Sequence, residues 1–181
     1  GLVDESIRNV ITKLSYLHFT STESYRHRVI QMGEYPDRVF NVGAIGVENA
    51  MHTELLSQAE LEAELGCVLG EKYSVLTFHP VTLEDNTAAE QTEELLEAIK
   101  NFPDITFLCT KANADMNGRI INESLQSYAD RHNHLYLFDS LGMKKYLSAL
   151  RHAKFVIGNS SSGLIEVPSF KIPTINIGDR Q

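Results

Sequence analysis

A run of small polar residues lies between a predicted strand and a predicted helix near the end of the chain. The strand covers residues 155–157, the run is Gly-Asn-Ser-Ser-Ser-Gly at 158–163, and the helix opens at Ser162. Small side chains expose backbone N–H groups, hydroxyls add donors, and a helix N-terminus attracts negative charge. The pattern favours a phosphate or diphosphate site, although a capped helix start that binds nothing has the same composition. It is not a Walker A loop, because no Gly-Lys-Ser/Thr is present.

His79 stands directly after the most apolar predicted strand, residues 73–78, and is followed by Pro80. In open α/β sheets, ligands bind beyond the carboxyl ends of the strands, and parallel strands bring those ends to one edge. An imidazole can donate a hydrogen bond to a phosphate oxygen. His79 is therefore a candidate ligand contact at the same edge as the serine run, although a loop histidine is often a bystander.

Three further predicted strands end in polar loops at this edge, at residues 110–119, 139–142 and 178–181. Turn chemistry alone would account for the Asn, Asp and Gly residues of the first loop. Arg180 in the last loop is a suitable partner for an anion. Glu166 would repel a phosphate, but it lies one turn into the helix, where a carboxylate can accept hydrogen bonds from the vicinal hydroxyls of a ribose. A diphosphate next to a ribose indicates a nucleotide or nucleotide sugar, and the base stays open.

Strands and helices alternate along the whole chain with short connections, which predicts an α/β fold with a doubly wound, Rossmann-like parallel sheet. Asp4 is the expected N-cap of the first helix, and two capping boxes are predicted, Ser57 with Glu60 and Thr87 with Glu90. The predicted strands are residues 16–20, 38–42, 73–78, 105–109, 135–138, 155–157 and 174–177. The predicted helices end at residues 14, 32, 65, 102, 130 and 152, and a last one opens at residue 162.

The stretch 44–70 contains no strong strand and separates two predicted strands before it from five after it. We therefore expect residues 1–43 to be the tail of an N-terminal Rossmann-like domain and residues 44–70 to be an interdomain connection. Residues 71–181 would then form an incomplete C-terminal domain. Because the chain begins with Gly and stops directly after a predicted strand, it is expected to be truncated at both ends relative to a longer protein.

Composition limits the classes of partner. The chain has 181 residues and a formal net charge of −8 at pH 7, which argues against nucleic-acid binding through a broad basic face. No apolar run approaches the roughly 20 residues that span a bilayer, and no signal peptide opens the chain. The two cysteines, Cys67 and Cys109, lack metal-like spacing and are expected to be buried small hydrophobes. We expect a cytoplasmic protein that contacts neither nucleic acid nor membrane and binds no metal.

Taken together, these motifs resemble the UDP-N-acetylglucosamine 2-epimerase family over essentially the whole chain and in the same order. The resemblance is to its hydrolysing, sialic-acid-pathway branch, because the non-hydrolysing branch usually has a His-Arg-Arg-Glu-like segment where His79 stands here. The motifs that carry it are His-Pro-Val-Thr at 79–82, Asn-Ala-Asp at 113–115, Gly-Asn-Ser-Ser-Ser-Gly at 158–163 with Glu166, Gly-Asp-Arg-Gln at 178–181, and the segments 4–8, 12–15 and 38–43.

The resemblance implies two Rossmann-like domains in the glycosyltransferase-B arrangement, with UDP held mainly by the second domain. The residues that match the family's UDP contacts are His79, Asn113, Leu141, Ser160, Ser161, Glu166 and Arg180. The contact at Leu141 would be made to uracil by the main chain. His79 would also serve catalysis by stabilising the departing diphosphate.

The implied reaction eliminates UDP across C1–C2 of UDP-N-acetylglucosamine to give a glycal, and water then adds to release N-acetylmannosamine. In the family, the carboxylates that move the C2 proton belong to the first domain. We therefore expect this chain alone to bind UDP weakly and not to catalyse. The resemblance implies no cofactor, and we expect the full-length protein to be a homo-oligomer.

Other functions are compatible with the same residues. A UDP-sugar glycosyltransferase of this architecture would need an acceptor site and would form no free N-acetylmannosamine. A non-catalytic nucleotide-sugar-binding or regulatory module would show no activity in the complete protein. An α/β domain without a ligand would show no thermal shift with UDP.

Overall fold

The structure is a computed structural model that describes residues 2–81, 87–113 and 117–180. Four residues of the motifs quoted above, Thr82, Ala114, Asp115 and Gln181, lie outside the described residues. By its internal contacts the chain divides into two compact units, Gly1–His52 and Thr53–Gln181.

The first unit contains a short parallel sheet of two strands. Its elements are α1 (Leu2–Leu14), β1 (His18–Thr20), α2 (Glu23–Gln31), a 3-10 helix (Pro36–Arg38), β2 (Val39–Asn41) and α3 (Ile45–His52). α2 packs on both strands. Along β1 the side chains of His18 and Thr20 are buried and Phe19 is exposed, as expected for a strand with one covered face.

The two strands and the first two helices predicted for this unit are confirmed, with small shifts at their ends. Thr22 caps α2 by accepting a hydrogen bond from the N–H of Tyr25 at 3.2 Å. α1 already begins at Leu2, so the prediction that Asp4 is its N-cap is wrong. α3 was not predicted from the sequence, because Gly46 lies in its first turn and glycine has a low helix propensity.

The second unit is built on a five-stranded, all-parallel sheet in the order β5-β4-β3-β6-β7. This confirms the predicted doubly wound α/β class. Its elements are α4 (Gln58–Leu65), β3 (Tyr73–Thr77), α5 (Ala88–Lys100), β4 (Thr106–Thr110), α6 (Gly118–Ala129), β5 (Leu135–Phe138), α7 (Gly142–His152), β6 (Phe155–Gly158), α8 (Ser162–Ile165), a 3-10 helix (Val167–Phe170) and β7 (Thr174–Asn176). Every residue of β3 is buried, as expected for a central strand covered on both faces.

Helices cover both faces of this sheet. On one face, Leu76 of β3 packs in a cluster with Leu95 of α5 and Leu125 of α6. On the other face, the hydroxyl of Tyr73 donates to the carbonyl oxygen of Ala149 in α7 at 2.7 Å. Because side chains alternate along a strand, Tyr73 and Leu76 point to opposite faces and attach the two helix layers to β3.

The two predicted capping boxes have opposite outcomes. Ser57 and Glu60 form the box at the start of α4, each side chain accepting from the other residue's backbone N–H. Thr87 is the N-cap residue of α5, but its backbone is already helical and its side chain makes no capping hydrogen bond. The second box is therefore wrong, because its Ser/Thr-x-x-Glu pattern does not determine the backbone angles of the cap residue.

Polar contacts fix the segment before β3 to the second unit. The fully buried Ser148 of α7 accepts a hydrogen bond from the N–H of Leu56 at 2.9 Å, and α4 packs against α7. Glu62 accepts hydrogen bonds from the side chain of Gln58 at 3.2 Å and from the N–H of Leu69 at 2.8 Å. These two hydrogen bonds hold the pKa of Glu62 below its ordinary value, and the one from Gln58 has the larger effect.

Candidate functional site

The candidate site lies at the edge of the five-stranded sheet where the strand order reverses. From β3, the sheet adds β4 and β5 on one side and β6 and β7 on the other. The carboxyl ends of β3 and β6 therefore mark the topological switch point, and open α/β sheets bind their ligands in the crevice at this position. His79 follows β3 and Ser160 follows β6, so two residues that the sequence placed at one edge lie on the two sides of this crevice.

β3 and β6 approach each other so closely at Gly158 that a side chain does not fit there. A Cβ built on Gly158 would lie 1.9 Å from the carbonyl oxygen of Thr77, and the φ of +139° is one that other residues rarely adopt. The N–H of Asn159 donates to that same carbonyl at 3.1 Å. Glycine at this position therefore sets the spacing of the two strands below the crevice.

The side chain of Asn159 joins the two strand ends. Its Oδ1 accepts from the backbone N–H of His79 at 2.7 Å, and its Nδ2 donates to the carbonyl oxygen of His79 at 2.8 Å. The carboxamide thus continues the hydrogen bonding between the two strands beyond their ends. Asn159 is only 1% exposed. The backbone of His79 is thereby held at a fixed position relative to the serine run.

The loop after β4 orients the imidazole of His79. The backbone N–H of Asn113 donates to Nδ1 of His79 at 3.2 Å. A ring nitrogen that accepts a hydrogen bond carries no proton, so the neutral ring has its proton on Nε2. Nε2 is then a hydrogen-bond donor, which is what a contact with a phosphate oxygen requires.

α6 holds the loop that carries Asn113. Asn122 accepts from the N–H of Ala112 at 2.8 Å and donates to the carbonyl oxygen of Ala112 at 3.3 Å. At Gly118, a Cβ would lie 2.2 Å from the carbonyl oxygen of Asn113, so the backbone of Asn113 lies directly against the start of α6. A surface pocket of about 600 Å³ adjoins the loop and is lined in part by Lys111, Asn113 and Asn122.

The serine run leads into a shorter α-helix than its composition suggests. α8 has four residues and continues as a 3-10 helix, with Ser161 exposed at the N-cap and Ser160 half-buried. The hydroxyl of Ser162 accepts a hydrogen bond from Tyr146 at 2.8 Å. So short a helix has a small dipole. An anion at this position would therefore be held by hydrogen bonds from hydroxyls and backbone N–H groups, with little contribution from the helix dipole.

Arg180 also reaches the crevice. Its Nη1 donates to the carbonyl oxygen of Asn159 at 3.1 Å, which places the guanidinium beside the residue that joins the two strands. The turn before it contains Gly178 with a φ of +68°, and the side chain of Asn176 donates to the carbonyl oxygen of Gly178 at 3.1 Å. Arg180 therefore places a positive charge at this edge of the sheet.

Leu141 and Glu166 lie at the ends of two neighbouring helices, α7 and α8. Leu141 is buried and precedes α7, and the next residue, Gly142, has a φ of +64°. Glu166 is half-buried at the C-cap of α8. The hydrogen bond from Tyr146 to Ser162 brings α7 and α8 together, so both predicted residues lie on elements that border the serine run.

Three polar residues around the site were not predicted from the sequence. Asn159 stands inside the conspicuous small-residue run, and a polar residue directly after a buried strand was a usable signal for it. Asn122 and Tyr146 stand at ordinary positions of amphipathic helices, which carry no such signal. All three act on the site through backbone groups or through another side chain.

Across residues 2–81, 87–113 and 117–180, there is no group of three or more His, Cys, Asp or Glu residues placed to hold a metal ion. In the same part of the chain, no helix has the length and apolar character needed to cross a membrane. Cys67 and Cys109 are both free thiols, Cys67 half-buried and Cys109 buried.

A parallel sheet with this strand order, helices on both faces and polar loops at the switch point defines a Rossmann-like α/β fold. A model of the UDP-N-acetylglucosamine 2-epimerase family matches residues 1–181. The chain belongs to this family, and the resemblance found in the sequence is confirmed.

Curated relatives agree with the family. The chain is 46% identical over 179 residues to polysialic acid biosynthesis protein P7 of Escherichia coli, covering 98% of this chain and 45% of that protein. It is 44% identical over 182 residues to the GDP/UDP-N,N′-diacetylbacillosamine 2-epimerase (hydrolyzing) of Campylobacter jejuni, covering 100% of this chain and 47% of that protein. The chain thus spans a little under half the length of these relatives.

Solved structures show the same fold. The S. aureus MnaA–UDP co-structure superposes with a TM-score of 0.69 at 16% identity, covering 93% of this chain and 44% of that one. The Neisseria meningitidis UDP-GlcNAc 2-epimerase bound to UDP-GlcNAc gives a TM-score of 0.68 at 16% identity, covering 93% of this chain and 46% of that one.

Proposed function

We propose that this chain is the UDP-binding half of a hydrolysing UDP-sugar 2-epimerase. The observation that carries the proposal is that His79 and the serine run follow the carboxyl ends of the neighbouring strands β3 and β6, with the N–H of Asn113 donating to Nδ1 of His79. Membership of the UDP-N-acetylglucosamine 2-epimerase family and the UDP in the S. aureus MnaA co-structure support UDP as the ligand.

Each predicted site residue has a role in this proposal. His79, through Nε2–H, donates to the diphosphate, as do the hydroxyls of Ser160 and Ser161. Arg180 supplies the positive charge that a diphosphate needs at short range, since the chain as a whole is acidic. The carboxylate of Glu166 accepts from the ribose hydroxyls.

Two further residues complete the nucleotide site. The main chain at Leu141, on the element bordering α8, contacts uracil. Asn113 contacts the nucleotide from the loop after β4, while its backbone N–H orients His79. No cofactor enters the proposal, since UDP is the leaving group and water is the second reactant.

For the complete protein, we propose conversion of UDP-N-acetylglucosamine into N-acetylmannosamine and UDP. Removal of the C2 proton and cleavage of the C1–O bond give UDP and a 2-acetamidoglycal, and water then adds across C1=C2. The groups of this chain act on the first step, because donors at the crevice stabilise the negative charge that develops on UDP. His79 is thus the catalytic residue of this half, and the proton-transfer carboxylates lie outside it.

The same proposal assigns the domain organisation. Residues 1–43 form the tail of an N-terminal Rossmann-like domain, residues 44–70 a connection, and residues 71–181 the UDP-binding domain. The two free thiols suit a reducing cytoplasmic setting. The 46% identity to a polysialic acid biosynthesis protein supports a role in supplying N-acetylmannosamine to sialic acid synthesis.

A second substrate is favoured by a specific observation. The 44% identity to the Campylobacter jejuni enzyme supports N,N′-diacetylbacillosamine, joined to UDP or GDP, as the sugar of the substrate. With UDP as the nucleotide, both substrates present the same group to this half, so the two candidates differ in the sugar. NMR of the products that the longer parent protein forms from each sugar nucleotide separates them. Neither free N-acetylmannosamine nor the corresponding diacetamido sugar would appear if the parent were a glycosyltransferase or a binding module.

The UDP site is tested by calorimetric titration of the 181-residue chain. We expect weak but saturable binding, and His79→Ala should weaken it by about 10- to 100-fold, the loss of a hydrogen bond to a charged group worth about 1.5–3 kcal/mol. The matched control is His152→Ala, because His152 contacts the carbonyl oxygen of Leu56 on another part of the unit. No binding by the unaltered chain, or equal losses in both variants, would refute the site.

A further inference from the structure

We propose that Asn159 and Asn122 are positioning residues that hold the His79 imidazole in its Nε2–H tautomer at the crevice. The inference rests on the proposed function for its ligand, while its geometry stands on the hydrogen bonds of the unliganded chain. Neither residue touches the nucleotide in the proposal, and each acts on His79 through a backbone segment.

The two asparagines make the same kind of contact. The side chain of Asn159 hydrogen-bonds to the N–H and the carbonyl of His79, and that of Asn122 hydrogen-bonds to the N–H and the carbonyl of Ala112. A carboxamide presents one donor group and one acceptor at the spacing of a peptide unit, which Asp, Ser and Leu do not. We call these two contacts the Asn159 clamp and the Asn122 clamp.

The two clamped segments meet at the imidazole. The Asn159 clamp fixes the backbone from which the ring extends, and the Asn122 clamp fixes Ala112, the residue directly before Asn113. The N–H of Asn113 then donates to His79 Nδ1 at 3.2 Å. The distance between these two nitrogens depends on both clamps, because each clamp locates one of the two partners.

The chemistry of the ring follows from this contact. With an N–H aimed at Nδ1, that nitrogen must keep its lone pair, and the proton of the neutral ring is on Nε2. The other tautomer would set two N–H groups against each other. If either clamp loosened, the ring would sample both tautomers, and for part of the time Nε2 would present a lone pair to an anionic oxygen.

The geometry of Asn159 suits this role better than a role in folding alone. Asn159 is 1% exposed, and two hydrogen bonds of its side chain go to His79, the site residue that follows β3. Its own carbonyl oxygen accepts from Arg180. One residue thus links the backbone of His79 with the guanidinium of Arg180.

The test uses NMR of the ring nitrogens in the 181-residue chain, with 15N-labelled histidine and no nucleotide, at about pH 8, above the ordinary histidine pKa. The His79 signals are assigned from their loss in His79→Gln. In the unaltered chain we expect a protonated Nε2 and an unprotonated Nδ1. In Asn159→Asp and Asn122→Asp, which keep the acceptor and lose the donor, we expect averaged signals of mixed tautomers.

The matched control is Asn101→Asp, because Asn101 also donates from its side chain to a backbone carbonyl, but at the exposed end of α5. It should leave the ring signals unchanged. A His79 ring protonated on Nδ1 in the unaltered chain would overturn the proposal. If Asn159→Asp does not fold, the test rests on Asn122→Asp, which is expected to fold because Asn122 is only half-buried. Wild-type ring signals in the folded Asn122→Asp variant would overturn the proposal.

UDP titrations of the same samples separate the two proposals. We expect the Kd to rise about tenfold in the clamp variants and to stay unchanged in Asn101→Asp. If the ring signals change as expected but the unaltered chain binds no UDP, the positioning role stands and the proposed function fails. If UDP binds and the clamp variants keep wild-type ring signals, the proposed function stands and the positioning role fails.

Discussion

The close approach of β3 and β6 makes Gly158→Ala the most informative single substitution for the fold of the site. The new Cβ would start 1.9 Å from the carbonyl oxygen of Thr77, whereas ordinary contacts begin at 3.4 Å. The strands would therefore have to part by about 1.5 Å at the base of the crevice. The backbone would also have to hold alanine at a φ of +139°.

The size of the effect follows from these two sources. Forcing an extra carbon into a packed contact costs about 1–3 kcal/mol, and holding a residue with a side chain in a glycine conformation costs about 1–3 kcal/mol. We expect Gly158→Ala to lower the free energy of unfolding by about 4 kcal/mol. That is a large share of the roughly 5–15 kcal/mol of a typical domain.

Urea unfolding followed by circular dichroism measures this loss, and Gly66→Ala is the matched control. Gly66 ends α4 with a φ of +68°, but a Cβ there would meet no atom within 4 Å. Gly66→Ala therefore measures only the cost of the left-handed backbone conformation, and its free energy of unfolding should fall by about 1–2 kcal/mol. Equal losses at both positions would refute the reasoning from the close approach. A Gly158→Ala chain as stable as the unaltered one would refute the strand spacing itself.

Three further outcomes are expected. Ser161→Ala should weaken UDP binding by about 1–3 kcal/mol in a calorimetric titration while leaving the thermal midpoint unchanged, because its hydroxyl is exposed. Ser148→Ala should destabilise the chain by about 1–3 kcal/mol in urea unfolding, because the buried N–H of Leu56 would lose its acceptor. The pKa of Glu62 is lowered in the folded chain, mainly by the hydrogen bond from Gln58. This shift stabilises the folded chain fully at pH values above 4.5, the pKa of the unfolded chain, and the stabilisation is lost as the pH falls through the lower pKa of the folded chain. The loss of unfolding free energy between about pH 5 and pH 3 should therefore be smaller in Glu62→Gln, and an unchanged slope would contradict the assignment.

The elements that bury apolar side chains were predictable from the sequence, because burial leaves a local pattern. β3 appeared as a continuous apolar run and is buried at every position. Strands and helices that alternate along the chain led directly to a parallel sheet, and the boundaries moved by one or two residues at most strands. α3 was missed because its amphipathic pattern is weak and contains Gly46, so local composition pointed to a loop.

The arrangement inside the site was harder to predict, because it depends on contacts between distant segments. The edge on which His79 and Ser160 lie follows from strand direction alone. The side of the imidazole that carries the proton depends on the N–H of Asn113, 34 residues away in the sequence. A sequence pattern also could not show that the carboxamide of Asn159 takes the role of a backbone rung. The pattern predicted where a helix begins after the serine run but not its length, and α8 has four residues.

The Asn159 clamp has a consequence for biosynthesis, because its two partners are 80 residues apart. During translation, β3, α5, β4, α6, β5 and α7 leave the ribosome before β6 and Asn159 do. Until then, the backbone of His79 lacks its hydrogen bonds with Asn159. Contacts of such long sequence separation form late and slow the folding of the units that depend on them. The capacity of this half to bind its ligand would therefore be acquired only after β6 has paired with β3.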